Sequence, residues 1–198
     1  MHGLVIRNTG YSYTVKSDAG DVFECKVKGN FRIRGIRTTN PIAIGDRVTF
    51  TPQQVGADIE QAHQGLITEL DDRKNYIIRK STNLSKQSHI IAANIDRCYL
   101  VITIKHPETP LQFIDRFLAS AEAYNVDVTL VFNKIDLVTE EWKDYLEGVI
   151  NLYETIGYEC RKISAQTGEG VEEMRNELKG RITLLSGNSG GQVDTHKQ

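Results

Sequence analysis

Three polar side chains in one short stretch could read a purine base: Asn133, Lys134 and Asp136, in the run Leu130-Val131-Phe132-Asn133-Lys134-Ile135-Asp136-Leu137. The Asp136 carboxylate can accept two hydrogen bonds, from the N1–H and the N2 amino group of guanine, which adenine cannot offer in that arrangement. Asn133 can bond N7 or brace neighbouring loops, and the methylene stem of Lys134 can lie over the ring. Four residues of this kind also occur by chance at ordinary strand-to-loop turns, so a second element has to agree. Ser164-Ala165 does so. A strand ending there can present the backbone N–H of Ala165 to guanine O6, where adenine carries a donor. Two loops with complementary roles discriminate sharply, because a site built for one base leaves buried groups unpaired with the other.

A third stretch, Gly187-Asn188-Ser189-Gly190, follows an apolar run and has the form in which a phosphate-binding loop begins. Glycines let successive backbone N–H groups converge on an anion. The full pattern G-x-x-x-x-G-K-[ST], counted from Gly187, needs glycine, lysine and a hydroxyl where this chain has Gln192, Val193 and Asp194. The lysine charge and the magnesium-binding hydroxyl are missing. No catalytic residue and no metal-ligand set is assigned, and negligible turnover is expected of this chain alone.

Strand-length apolar runs precede these three loops, at 128–132, 158–163 and 182–186, and a further one lies at 98–104; that run at 98–104 comes first in the chain. The first is continuously β-branched and apolar, as expected of a parallel strand buried on both faces. Between the runs lie helical patterns. Leu111, Ile114, Phe117, Leu118 and Ala121 recur at helical spacing, with Asp115-Arg116 read as a solvated pair. Trp142, Tyr145, Leu146, Val149, Ile150 and Tyr153 form the apolar side of a second helix that Gly157 stops. Val171, Met174 and Leu178 mark a third, ended by Gly180. Strands alternating with helices predict an α/β domain that places its ligand at the carboxyl ends of the strands.

The first seventy residues read differently. Five short β-rich runs, at 3–7, 11–16, 22–28, 47–51 and 65–70, are separated by turn chemistry such as Ser17-Asp18-Ala19-Gly20-Asp21 and Gly45-Asp46. They predict an all-β barrel, with the OB-fold as the leading form. Lys26, Lys28, Arg32, Arg34 and Arg37 follow one another without an acidic residue, with Phe31 among them. Such a strip could hold RNA phosphates and stack a base. A solvated strand face balanced by Asp18, Asp21, Glu24 and Asp46 is the alternative. From Arg73 to Lys86 the cations Arg73, Lys74, Arg79, Lys80 and Lys86 meet no carboxylate before Asp96. Composition leaves open whether that linker orders on RNA or is merely flexible. The expected organisation is 1–72 barrel, 73–97 basic linker, 98–190 nucleotide domain and 191–198 a non-matching tail.

With 198 residues, 39% hydrophobic and 25% charged, one large domain or two small ones can bury a core. A formal charge of -2 confines nucleic-acid contact to local patches. Cys25, Cys98 and Cys160 are scattered, which suits buried thiols in a reducing cytosol and supports neither disulfides nor a zinc knuckle. No signal peptide and no membrane-length apolar run is present, so a cytoplasmic monomer is expected.

The order of elements is unusual. Asn-Lys-x-Asp and Ser-Ala precede the phosphate loop, and all three follow a barrel. This order resembles the ribosome small-subunit-dependent GTPase A (RsgA) family of circularly permuted GTPases. Further matching stretches are Asn40-Pro41-Ile42-Ala43-Ile44-Gly45-Asp46-Arg47-Val48, Arg73-Lys74-Asn75-Tyr76, Ile90-Ile91-Ala92-Ala93-Asn94-Ile95-Asp96 and Ile114-Asp115-Arg116-Phe117-Leu118. The resemblance implies a GTP-binding factor in late maturation of the small (30S) ribosomal subunit, with an OB domain on 16S rRNA. It implies guanine contacts at Asn133, Lys134, Asp136, Ser164 and Ala165, and phosphate contacts at Gly187, Asn188, Ser189 and Gly190. GTP or GDP with Mg2+ would be the ligands. The family pattern stops at Gly191, and its zinc domain has no counterpart here. The rival reading is a non-catalytic RNA-binding module with a vestigial nucleotide domain.

Overall fold

The computed structural model describes residues 1–27, 42–53, 63–80 and 88–188. They divide into two compact units, Met1–Asn94 and Ile95–Gln198.

In the first unit, β1 (His2–Asn8), β2 (Tyr13–Ser17), β3 (Val22–Val27), β4 (Arg47–Gln53) and β5 (Gln64–Leu70) close a barrel in the order β1-β2-β3-β5-β4. The β3–β5 pairing is parallel and the others antiparallel. The expected all-β barrel and its OB-like form are therefore present. Alternate residues of each strand point inward, and Val5, Val15, Cys25, Val48, Phe50 and Ile67 form a core that is at most 1% exposed. Burial pushes the Cys25 thiol up to about 12.

Residues 73–97 differ from the expected linker. β6 (Tyr76–Lys80) and β7 (Ser88–Ala93) pair antiparallel and lie in the same unit as the barrel. Two contacts tie them to it. Ala93 N–H donates to Ile44 O at 2.9 Å, and Asn94 Nδ2 donates to Gly45 O at 2.9 Å. Gly45 sits at φ +89°, and a Cβ there would meet Ala93 O at 2.0 Å, so only glycine permits this approach. Arg73, expected as one of the cations of a linker that orders on RNA or stays flexible, points inward. Its Nε and Nη2 donate to the two carboxylate oxygens of Asp46 at 2.7 and 2.6 Å, and the Asp46 side chain is fully buried. Ala43 N–H adds a third bond to Asp46 at 2.8 Å.

In the second unit the order is β8 (Arg97–Ile102), α1 (Leu111–Ala123), β9 (Val128–Phe132), a 3-10 turn (Ile135–Leu137), α2 (Glu140–Thr155), β10 (Glu159–Lys162), α3 (Val171–Leu178) and β11 (Thr183–Gly187). The sheet runs β10-β9-β8-β11 with every pairing parallel. Every residue of β9 is buried, as its apolar run required. α1 buries Ile114, Leu118 and Ala121. α2 buries Leu146, Val149, Ile150 and Tyr153, but Tyr145 is 39% exposed and Trp142 is only half-buried. The apolar stripe is therefore narrower than the spacing suggested. Asp115 is exposed as expected, and it also accepts a hydrogen bond from Tyr153 Oη at 2.8 Å. β8 stops two residues short of the apolar run, because Thr109 N–H donates to Thr103 O at 2.8 Å and closes a loop there. Burial pushes the Cys98 thiol up to about 12 and that of Cys160 up to about 11. Among the described residues, no helix is long and apolar enough to cross a membrane.

Candidate nucleotide site

Four parallel strands bring their carboxyl ends to one edge of the sheet, and the two loops that carry the candidate base residues grow from neighbouring strands there. The ladder continues one residue past the strands: Asn133 N–H donates to Ile102 O at 2.9 Å and Ile163 N–H to Phe132 O at 2.8 Å. The loops after β9 and β10 thus leave the sheet at the same level.

Asn133 is 5% exposed and joins them. Its Oδ1 accepts from Lys134 N–H at 2.8 Å and from Ala165 N–H at 3.1 Å. Lys134 adopts a left-handed conformation, φ +62°, which disfavours an L residue; the bond to Asn133 holds the turn. Asp136 is exposed, and Ser164, fully buried, donates its hydroxyl proton to Asp136 Oδ1. Ser164 Oγ in turn accepts from Thr167 N–H at 3.1 Å. Ser164 therefore aims the carboxylate and fixes the turn behind it.

All five expected base residues come together here. One detail differs from the simplest expectation: the Ala165 N–H meant for guanine O6 donates to Asn133 Oδ1, so O6 would share or take over that donor. Sequence reasoning missed a further contact, from Lys134 Nζ to the backbone carbonyl of His106. A carbonyl carries no residue signature, so nothing in the sequence pointed to it.

Gly187 ends β11 in register with Val101 of β8. A Cβ on Gly187 would meet Val101 O at 2.6 Å, so a glycine is needed for this strand to pack before its loop. β11 lies two strands from β9, roughly 10 Å across the sheet, which is the reach of a nucleoside from base to phosphates. Asn188 is half-buried; Ser189 and Gly190 lie outside the described residues. So do Lys28, Phe31, Arg32, Arg34 and Arg37 of the expected RNA strip, while Lys26 is exposed on β3. Among the described residues, no group of three or more His, Cys, Asp or Glu side chains could hold a metal ion.

At the amino ends of the strands, away from the loops, Glu159 Oε2 meets Arg97 at 2.8 Å and Arg161 at 2.9 Å. The Arg97 guanidinium, with Arg161 adding to it, holds the Glu159 carboxyl below the usual carboxylate range. This network braces the sheet and has no part in the site.

A five-stranded barrel followed by an α/β sheet whose Asn-Lys-x-Asp and Ser-Ala loops precede the glycine-ended strand β11 defines a circularly permuted GTPase-type domain following an OB-like module. Residues 70–191 match the RsgA GTPase family and residues 2–59 its N-terminal domain. The chain belongs to the RsgA GTPase family. It is 60% identical over 190 residues to a small ribosomal subunit biogenesis GTPase RsgA of Bacteroides fragilis, covering 96% of this chain and 59% of that protein. It is 58% identical, with the same coverage, to small ribosomal subunit biogenesis GTPase RsgA 2 of Bacteroides thetaiotaomicron. The chain thus spans 59% of the length of these relatives. Among solved structures it superposes on YjeQ from Thermotoga maritima with a TM-score of 0.74 at 33% identity, covering 96% of this chain and 60% of that one. The fold is also that of YloQ, a circularly permuted GTPase, with a TM-score of 0.70 at 24% identity and the same coverage.

Proposed function

We propose that this chain binds guanine nucleotide weakly, through its base-reading half, and that it serves maturation of the small (30S) ribosomal subunit in the cytoplasm. The observation that carries the first part is the join between the loops: Asn133 to Ala165 at 3.1 Å and Ser164 to Asp136. These bonds tie the loop of Asp136 to the loop of Ala165, which supports reading the carboxylate as an acceptor pair and the Ala165 N–H as a donor toward guanine. Support for the second part comes from family membership and from charge. Met1–Asn94 holds 13 Lys and Arg against 9 Asp and Glu, a formal +4, and Ile95–Gln198 holds 11 against 17, a formal -6, which together give the -2 of the chain. A cationic barrel unit suits contact with 16S rRNA.

Mg2+ accompanies GTP in this reading by family. The position expected to supply its hydroxyl carries Asp194, a negative charge beside phosphates, so no step of the proposal runs through the metal. GTP hydrolysis belongs to a site with the lysine in place. Gln192, Val193 and Asp194 favour the second reading, a non-catalytic RNA-binding module that retains only the base half.

Cosedimentation with 30S subunits across a salt series tests the ribosomal part. Binding that weakens steeply with salt is expected, and its absence at low salt removes the rRNA claim. Magnesium-dependent turnover by the pure chain would overturn the view that the missing lysine silences hydrolysis.

A further inference from the structure

β8 lies between the base-reading strand β9 and the phosphate strand β11, so the loop after it, 103–109, emerges between the two halves of the nucleotide site. This loop is built, and not slack. Thr103 and Thr109 are 1% and 6% exposed. Thr109 N–H donates to Thr103 O at 2.8 Å, Thr103 N–H donates to Thr109 Oγ1 at 3.1 Å, and Thr103 Oγ1 donates to Pro107 O. Within the loop so closed, His106 takes φ +60° and its carbonyl accepts from Lys134 Nζ. One residue earlier, the Lys105 ammonium stands 3.9 Å from the centroid of the Trp142 ring at the start of α2, a cation–π contact. The loop is therefore fastened at its base by two buried threonines and at its tip to both Lys134 and α2.

We infer that loop 103–109 is the positioning element for Lys134, holding the stem of that lysine where it covers the purine, and that Thr109 is the residue through which it acts. This rests on the guanine-site reading above. Without the Thr109 acceptor, the buried Thr103 N–H loses its partner and the loop keeps only the Thr109 N–H to Thr103 O and Thr103 Oγ1 to Pro107 O bonds at its base. The His106 carbonyl then fixes the ammonium less firmly, and the hold on the Lys134 stem over the ring loosens. The base contacts of Asp136 and Ala165 are untouched, so affinity should fall while preference for guanine over adenine survives.

Trp142 is the only tryptophan, so its emission reports the loop directly. Guanosine is the first probe, because it carries no phosphates and engages the base half alone; GDP is the second. In the parent chain, guanosine should change Trp142 emission as the Lys134–His106–Lys105 contacts adjust. Thr109→Val should weaken guanosine and GDP by about fivefold each, the lower end of what losing one stacking contact to a base costs. The same variant should quench the emission change and leave the GDP to ADP ratio as in the parent. Thr109→Ser keeps the Oγ acceptor and should stay within about twofold of the parent. Lys105→Met, at a half-buried position outside the core, should alter Trp142 emission without nucleotide. The inference is overturned if Thr109→Val binds guanosine as the parent does, or if Thr109→Ser is as impaired as Thr109→Val. If the parent itself does not prefer GDP to ADP, the guanine-site reading has failed instead, and the two failures are told apart by that control.

Discussion

Truncating Asn133 to alanine tests whether the two base loops are one structural unit. The side chain is 5% exposed, and its Oδ1 takes the N–H of Lys134 at 2.8 Å and of Ala165 at 3.1 Å. Alanine removes both acceptors. A buried donor left without a partner costs about 1–3 kcal/mol. Ala165 is exposed, so water replaces most of its loss, whereas Lys134 is half-buried in a left-handed turn that this bond holds. The sum is about 2–3 kcal/mol. With a urea slope of about 2 kcal/mol per molar for a small domain, the unfolding midpoint should drop by roughly 1–1.5 M. Trp142, in the same unit, follows that transition by fluorescence. Guanosine affinity should fall in parallel, because Lys134 and the Ala165 donor are set by the same side chain. A midpoint that moves by less than about 0.3 M would refute the claim that Asn133 joins the loops.

Three further outcomes follow from the same geometry. Arg73→Ala leaves the fully buried Asp46 carboxylate with Ala43 N–H as its remaining bond and should cost about 3–5 kcal/mol in the barrel unit, read by chemical denaturation; a cost below about 1 kcal/mol would contradict an inward pair. Glu159 is held below 4.5 by Arg97, so its contribution is fully present above that value and is lost as pH falls through the lower folded value. Glu159→Gln should thus lower the urea midpoint modestly at neutral pH, since Glu159 is 48% exposed, and should match the parent in strong acid; an equal difference at both would refute the assignment. The third concerns the tail. Back-translated and read one nucleotide out of phase, the codons for Gly191-Gln192-Val193-Asp194-Thr195 admit Gly-Lys-Ser followed by Thr or Ile. Those are the residues that the phosphate-loop pattern lacks here. Sequencing the coding DNA should find codons that spell this motif in that frame; codons that do not would show the departure after Gly190 to be unrelated to it.

The base site was legible because each of its parts is local. An apolar run of strand length ends in Asn133-Lys134-Ile135-Asp136, another ends in Ser164-Ala165, and parallel pairing then brings the two ends together whatever the rest does. The barrel was legible for the same reason, since alternation along 3–7 or 47–51 fixes which side faces inward. Failures came where a partner is remote. Arg73 looked like a linker cation because Asp46 stands 27 positions earlier, and 73–97 looked like a linker because the pairing of β6 with β7 spans a polar stretch. The length of β8 was overestimated because Thr109, beyond Pro107, supplies the bond that turns the chain. Lys134 and His106 could not be linked from residue types, since the acceptor is a backbone carbonyl.

The central claim is that this chain retains the half of the site that chooses guanine. Equilibrium binding of labelled GDP and ADP to the pure chain tests it most directly, with xanthosine diphosphate and Asp136→Asn as the exchange control. GDP should bind weakly but clearly better than ADP, and Asp136→Asn should reverse the preference toward xanthosine diphosphate, because its amide can donate to the O2 that xanthine carries in place of the guanine amino group. Equal affinity for GDP and ADP, or a preference that Asp136→Asn leaves unchanged, would contradict the claim.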